Sequence, residues 1–220
     1  MRGAWLLLCA IAGCGNAGHS APDTACEPTT VFLDRQGGDY DLGAFDDATM
    51  NLSVVLDGPR TLPPSPYNDA DWSELTSCIR DGLAPFPVTL TETDPGMTPH
   101  LELVFTTAYW GPGGAAVPTI IPSSCRPDHQ IEFVFGQAEA SPTNACEATM
   151  GAFAEMVAQL SPGYDCLDFT SPAMDCGIRS YLDEDTSCVD QTGQPAACRC
   201  GGTTQNSAQA LRTVFGTCGN

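Results

Sequence analysis

The sequence predicts a mixed α/β domain with three helices and a disulfide-rich C-terminal region. Two observations carry this. Short strands with alternating apolar residues interleave with segments whose apolar residues recur at helical spacing. Of the twelve cysteines, six lie between Cys166 and Cys218, so the last third of the chain reads as loop-rich and stapled.

Each element has its own signal. Thr30 to Asp34 reads as a strand closed by the Gly37-Gly38 turn. Residues 41 to 67 are polar and then proline-rich, with a short apolar piece at Leu52 to Leu56, and read mostly as loop. A helix follows, capped by Asn68 or Asp71, carrying Trp72, Leu75 and Ile79 on one face and stopped at Gly82. Val88 to Thr91 is a strand, Asp94-Pro95-Gly96 a turn, and His100 to Phe105 a strand with Leu101, Leu103 and Phe105 on one face. The glycine- and proline-rich stretch from Trp110 to Pro122 reads as loop or poorly paired edge strand, and Gln130 to Phe135 as another strand. The longest helix runs from about Pro142 to Leu160, with Cys146, Met150, Phe153, Val157 and Leu160 as its stripe. A last helix near Gln205 to Phe215 presents Ala208, Leu211 and Phe215 and stops at Gly216.

The N-terminus reads as an export signal over residues 1–13: Arg2, then the apolar run Ala4 to Ala12, too short to span a bilayer. Ile11-Ala12-Gly13-Cys14 resembles a lipoprotein box, in which the chain is cut before the cysteine and Cys14 is lipidated; cleavage after Ala17 is the alternative. Residues 14–28 then form a tether, and 29–220 a single domain. Gly15 after the cysteine, rather than aspartate, points to an outer-membrane lipoprotein or an extracellular protein, with membrane contact through the lipid alone.

The chain has eight arginines, no lysine and a formal net charge of −19, which argues against nucleic acid or anionic lipid headgroups as partners. Setting aside Cys9 and Cys14, an even number of cysteines remains, as a disulfide framework requires. Cys198-Arg199-Cys200 lacks the CxxC spacing of common zinc sites. The acidic clusters Asp39/Asp41, Asp46/Asp47 and Asp183-Glu184-Asp185 could ligate calcium, although none has the spacing of a recognised calcium loop. Glu102 and Glu132 occupy matching places in two similar strands and read as solvated residues of one sheet face. His129, beside Asp128, reads as a solvent-exposed histidine at a strand edge.

The order of these elements, together with Ala84-Pro85-Phe86-Pro87-Val88-Thr89, Asp94-Pro95-Gly96, Cys198-Arg199-Cys200-Gly201-Gly202 and Thr204-Gln205-Asn206-Ser207, resembles a group of metzincin-like bacterial exported proteins. The resemblance implies a mixed twisted sheet and covers roughly residues 30 to 216. A metzincin carries HExxHxxGxxH on its long helix and a methionine turn beyond it. Laid on Ala154 to Tyr164, that pattern makes Glu155 the general base. Ala154, Ala158 and Tyr164 stand where the zinc histidines belong, and Gly163 comes two positions late. Met174 matches the methionine turn, and cysteines flank that turn in the related proteins, which implies a Cys166–Cys176 bridge. The remaining pairings stay open; Cys188 with Cys198 or Cys200 comes next.

The expected protein is therefore an exported, lipid-anchored, catalytically inactive metzincin-like domain, without zinc or another cofactor, that binds an unidentified peptide or protein or serves an envelope role. The alternatives are a zinc metallopeptidase with non-standard ligands and a calcium-dependent surface module. Mass spectrometry of the mature N-terminus checks the export reading: a lipid-modified Cys14 is expected, and an unmodified terminus at Gly18 would refute it.

Overall fold

Apolar residues on both faces of neighbouring strands decide the architecture. A computed structural model describes residues 27–108, 119–120, 129–136, 141–172, 177–190, 192–199 and 201–216. The five-stranded central sheet has the order β5 (Val88–Thr91), β1 (Thr29–Asp34), β6 (Leu101–Thr106), β8 (Ile131–Phe135) and β7 (Thr119–Ile120). The first four run parallel, and β7 closes one edge antiparallel to β8. Every residue of β6 and β8 is buried, as expected of parallel strands covered on both sides.

Three helices cover one face: α1 (Asp69–Leu83), α2 (Pro142–Ala158) and α3 (Ser207–Phe215). Trp72, Leu75 and Ile79 of α1, Met150 and Phe153 of α2, and Leu211 of α3 pack there with Leu101, Leu103 and Phe105. Asn68 starts α1 by accepting hydrogen bonds from the amides of Ala70 and Asp71. Gly82 lies inside α1 rather than ending it. A Cβ there would come 2.8 Å from Met150 Cε, so the glycine permits the close approach of α1 to α2. The Cys78–Cys146 disulfide locks the same two helices together across 68 residues of sequence. Closing so long a loop restricts the unfolded chain and stabilises the fold by roughly 2–4 kcal/mol.

The other face is covered by a segment expected to be mostly loop. Residues 38–62 form a three-stranded sheet of β2 (Gly38–Leu42), β3 (Leu52–Ser53) and β4 (Arg60–Leu62), with a 3-10 turn at Ala48–Met50. Tyr40, Ala48, Leu56 and Leu62 pack there on Val104, Ile131, Phe133 and Phe135. Near the C-terminus β9 (Thr186–Ser187) pairs with β10 (Thr204–Gln205). Cys188 bonds Cys198, which settles the open choice for Cys188. Cys166 is disulfide-bonded, but Cys176 and Met174 lie outside the described residues, as do Cys14 and the whole signal. The disulfides indicate a non-cytoplasmic, oxidising compartment. No helix among the described residues is long and apolar enough to cross a membrane.

Glu102 and Glu132 correct the reading of a shared solvated face. The register pairs Glu102 with Ile131 and Leu103 with Glu132, so the two carboxyls point to opposite faces. Both are buried, at 2% and 0% exposure. Glu102 meets Tyr40, whose Oη lies 2.8 Å from Glu102 Oε1 and 3.0 Å from Asp34 Oδ2. One hydroxyl hydrogen cannot serve both carboxyls, so one of them carries a proton. Asp34 Oδ1 already accepts the amides of Gln36 and Gly37, which favours its charged form. Burial raises the pKa of both acids; that of Glu102 goes from 4.5 to about 8, against the lowering by the Tyr40 hydrogen bond and with the charges of Asp34 and Asp94 adding to the rise, so the protonated form of Glu102 is favoured.

A pKa raised on folding means the folded state holds the proton more tightly, so stability falls as pH rises. Glu102 is expected to contribute fully below its unfolded value of 4.5 and to lose its contribution as pH rises through about 8. The slope from this one group is at most about 1.4 kcal/mol per pH unit. Denaturant titrations across that range should show the decline in wild type and a flatter profile in Glu102→Gln.

Candidate functional site

The candidate site lies at the C-terminal half of α2. Ser141 caps this helix by accepting from the Asn144 amide, and Pro142 occupies its first turn, where it costs no intrahelical hydrogen bond. The expected apolar stripe, Cys146 to Leu160, is buried throughout. Gly151 and Glu155 lie four residues apart and so share a face of this helix. A Cβ on Gly151 would come 2.7 Å from the Phe169 carbonyl oxygen, so the segment after the helix fills that side.

Glu155 emerges from this face with its side chain 25% exposed, and its Oε2 lies 3.3 Å from Nη2 of Arg199. Burial raises the Glu155 pKa, and the Arg199 guanidinium opposes the rise. The arginine is delivered by a chain of contacts that sequence reasoning missed. Its amide donates to Ser161 Oγ at 2.7 Å, and Gln205 bridges the backbone of Ser161 from both sides. Arg199 also follows Cys198, fixed by the bond to Cys188. The available signal was its place between two cysteines, where a stapled loop holds a side chain in one direction.

The positions marked by the resemblance do not gather round one ion. Ala154 is fully buried in the helix-side core, Ala158 packs half-buried against that core, and Tyr164 is 70% exposed with its amide bound to the Ser187 carbonyl. The helix is ended by Gln159 in the left-handed conformation, φ 54°, rather than turned at Gly163. Gly163 has a different task. A Cβ there would meet Thr170 Oγ1 at 2.7 Å. With two alanines and a phenol in place of imidazoles, these residues do not fit a zinc ion. Among the described residues no group of three or more His, Cys, Asp or Glu is placed to hold a metal.

Beneath Glu155 lies Glu132, facing the helices. Burial, and then the charge of Glu155, hold its pKa well above the carboxylate range. Neither of its oxygens has a hydrogen-bond partner among the described residues. The neutral form is thereby favoured, and leaving such a group unpaired costs about 1–3 kcal/mol.

The other candidates are tied into the scaffold. Asp46 accepts from Ser53 Oγ, the Val54 amide and the Ile131 amide, and Asp47 caps the 3-10 turn. Asp183 is bound by Arg212 and Asn206, which lower its pKa. His129 is half-buried with Nδ1 inaccessible, not free in solvent, and its sequence neighbour Asp128 lies outside the described residues. His100 and His129 precede neighbouring strands, and both line a cavity of about 440 Å³ with Glu27. His100 Nδ1 lies 2.7 Å from the Thr98 carbonyl.

Comparison with models of known protein families, with curated proteins and with solved structures finds no match.

Ala154→His tests the packing at the first of the zinc-ligand positions. The added ring has no space at a fully buried alanine, so the variant is expected to lose about 1–3 kcal/mol in urea denaturation. Unchanged stability would mean that the position opens on a cleft.

Proposed function

We propose that this chain is an exported, lipid-anchored, catalytically inactive metzincin-like domain that binds a peptide or protein at the envelope. The observation that carries the reading is the Arg199–Glu155 contact of 3.3 Å. The residue at the general-base position is engaged by a cation of the chain itself. In a zinc peptidase that carboxylate must be free to take a proton from metal-bound water, and the ion must stabilise the charge of the tetrahedral intermediate. A carboxylate paired with a guanidinium, beside two alanines, supplies neither. The family reading rests on the order of strand, helix, strands, long helix and stapled C-terminal segment along the chain, to which the strands of residues 38–62 are an addition.

The reading accommodates the buried neutral Glu132 as part of the scaffold, since an acid at 0% exposure cannot reach a substrate. Purified protein is expected to carry no stoichiometric zinc and to cleave no protein substrate, and Glu155→Gln is expected to leave its structure intact. Metal analysis and a casein-cleavage assay with and without chelator check this. About one zinc per chain, with chelator-sensitive cleavage lost in Glu155→Gln, would establish the metallopeptidase instead.

A further inference from the structure

The segment that covers the second sheet face carries an unusual surface. Leu42, Phe45, Met50 and Val54 are exposed at 52%, 66%, 59% and 38%, half of the large exposed apolar side chains among the described residues. Single exposed apolar residues are ordinary, and four of them within one short segment set this part of the surface apart.

The segment is pinned, so these side chains are not left outside by looseness. The buried Asp46 holds Ser53, Val54 and, across the sheet, the Ile131 amide. Asp47 and Leu52 exchange backbone hydrogen bonds, and the Ala48 amide donates to the His129 carbonyl. At Gly43 a Cβ would lie 2.5 Å from the Phe45 carbonyl oxygen, so the turn that presents Phe45 tolerates no side chain. Such preorganisation lowers the ordering cost of binding.

Charge selects the occupant. Asp39 and Asp41 are exposed on β2, next in sequence to the exposed Leu42, and neither is paired with an arginine among the described residues. The whole chain carries −19, and five of its arginines are already paired with carboxylates. A second copy of the chain would bring the same negative field, and acidic phospholipids would be repelled. We infer that the 42–54 surface docks a protein partner presenting apolar side chains flanked by lysine or arginine. The inference does not use the Glu155 site, so the two readings fail independently.

The probe is a synthetic amphipathic peptide of leucine and lysine, with a leucine–glutamate peptide as its opposite, titrated against the full chain by fluorescence anisotropy. The lysine peptide is expected to bind saturably and to weaken with salt. Phe45→Ser with Met50→Ser should weaken it about tenfold or more, the loss expected of a central anchor. Met97→Ser, 75% exposed elsewhere, should leave it unchanged and controls for general loss of exposed apolar area. Circular dichroism confirms that both variants fold. No binding, equal binding of the glutamate peptide, or a double variant that binds as wild type would overturn the inference. So would phosphatidylcholine vesicles bound in preference to the peptide, or a dimer in sedimentation that the double variant abolishes.

Discussion

Everything in this fold depends on β6 and β8 being covered on both faces. Once helices close one side of the sheet and the 38–62 segment the other, no position on those strands is left for a solvated side chain. Most of their residues are apolar and suit this. Glu102 and Glu132 do not, and burial raises the pKa of each, which favours the protonated form. Glu102 adds a hydrogen bond to Tyr40, which in turn serves Asp34. Glu132 has no such partner among the described residues and remains an unsatisfied acid under α2.

The same constraint explains why the acidity of the chain is compatible with folding. Carboxylates that enter the interior are neutralised by protons or engaged by amides, as at Asp46. Two part-buried carboxyls are met by arginines: Glu155 by Arg199, and Glu147 by Arg179 at 3.4 Å. With no lysine in the chain, five arginines pair with carboxylates within the molecule, and the surface is left with the negative excess.

Long periodic segments were legible from sequence, because four or more side chains repeat a pattern that only one secondary structure satisfies. The strands at Thr29–Asp34 and Ile131–Phe135 and all three helices fall in this class. The 38–62 sheet was not legible, since strands of two or three residues show no period and are created by the surface they cover. Glu102 and Glu132 were misread for a related reason: a charged residue in an alternating strand signals solvent only if one face of the sheet is open. At the site, the residues of α2 could be singled out along one helix. Arg199 could not, because it reaches Glu155 across 44 residues of sequence and through the Ser161–Gln205 contacts. Cys78–Cys146 was hidden likewise, for connectivity among many cysteines does not follow from their spacing.

Arg199 has one further consequence. An ion bound by side chains is present only in proportion to its free concentration, and its site empties when the medium is depleted or a competing chelator arrives. A guanidinium encoded in the chain is present in every molecule from the moment of synthesis, at unit stoichiometry, and keeps its charge across the physiological pH range. The electrostatic balance around Glu155 is thereby independent of metal supply.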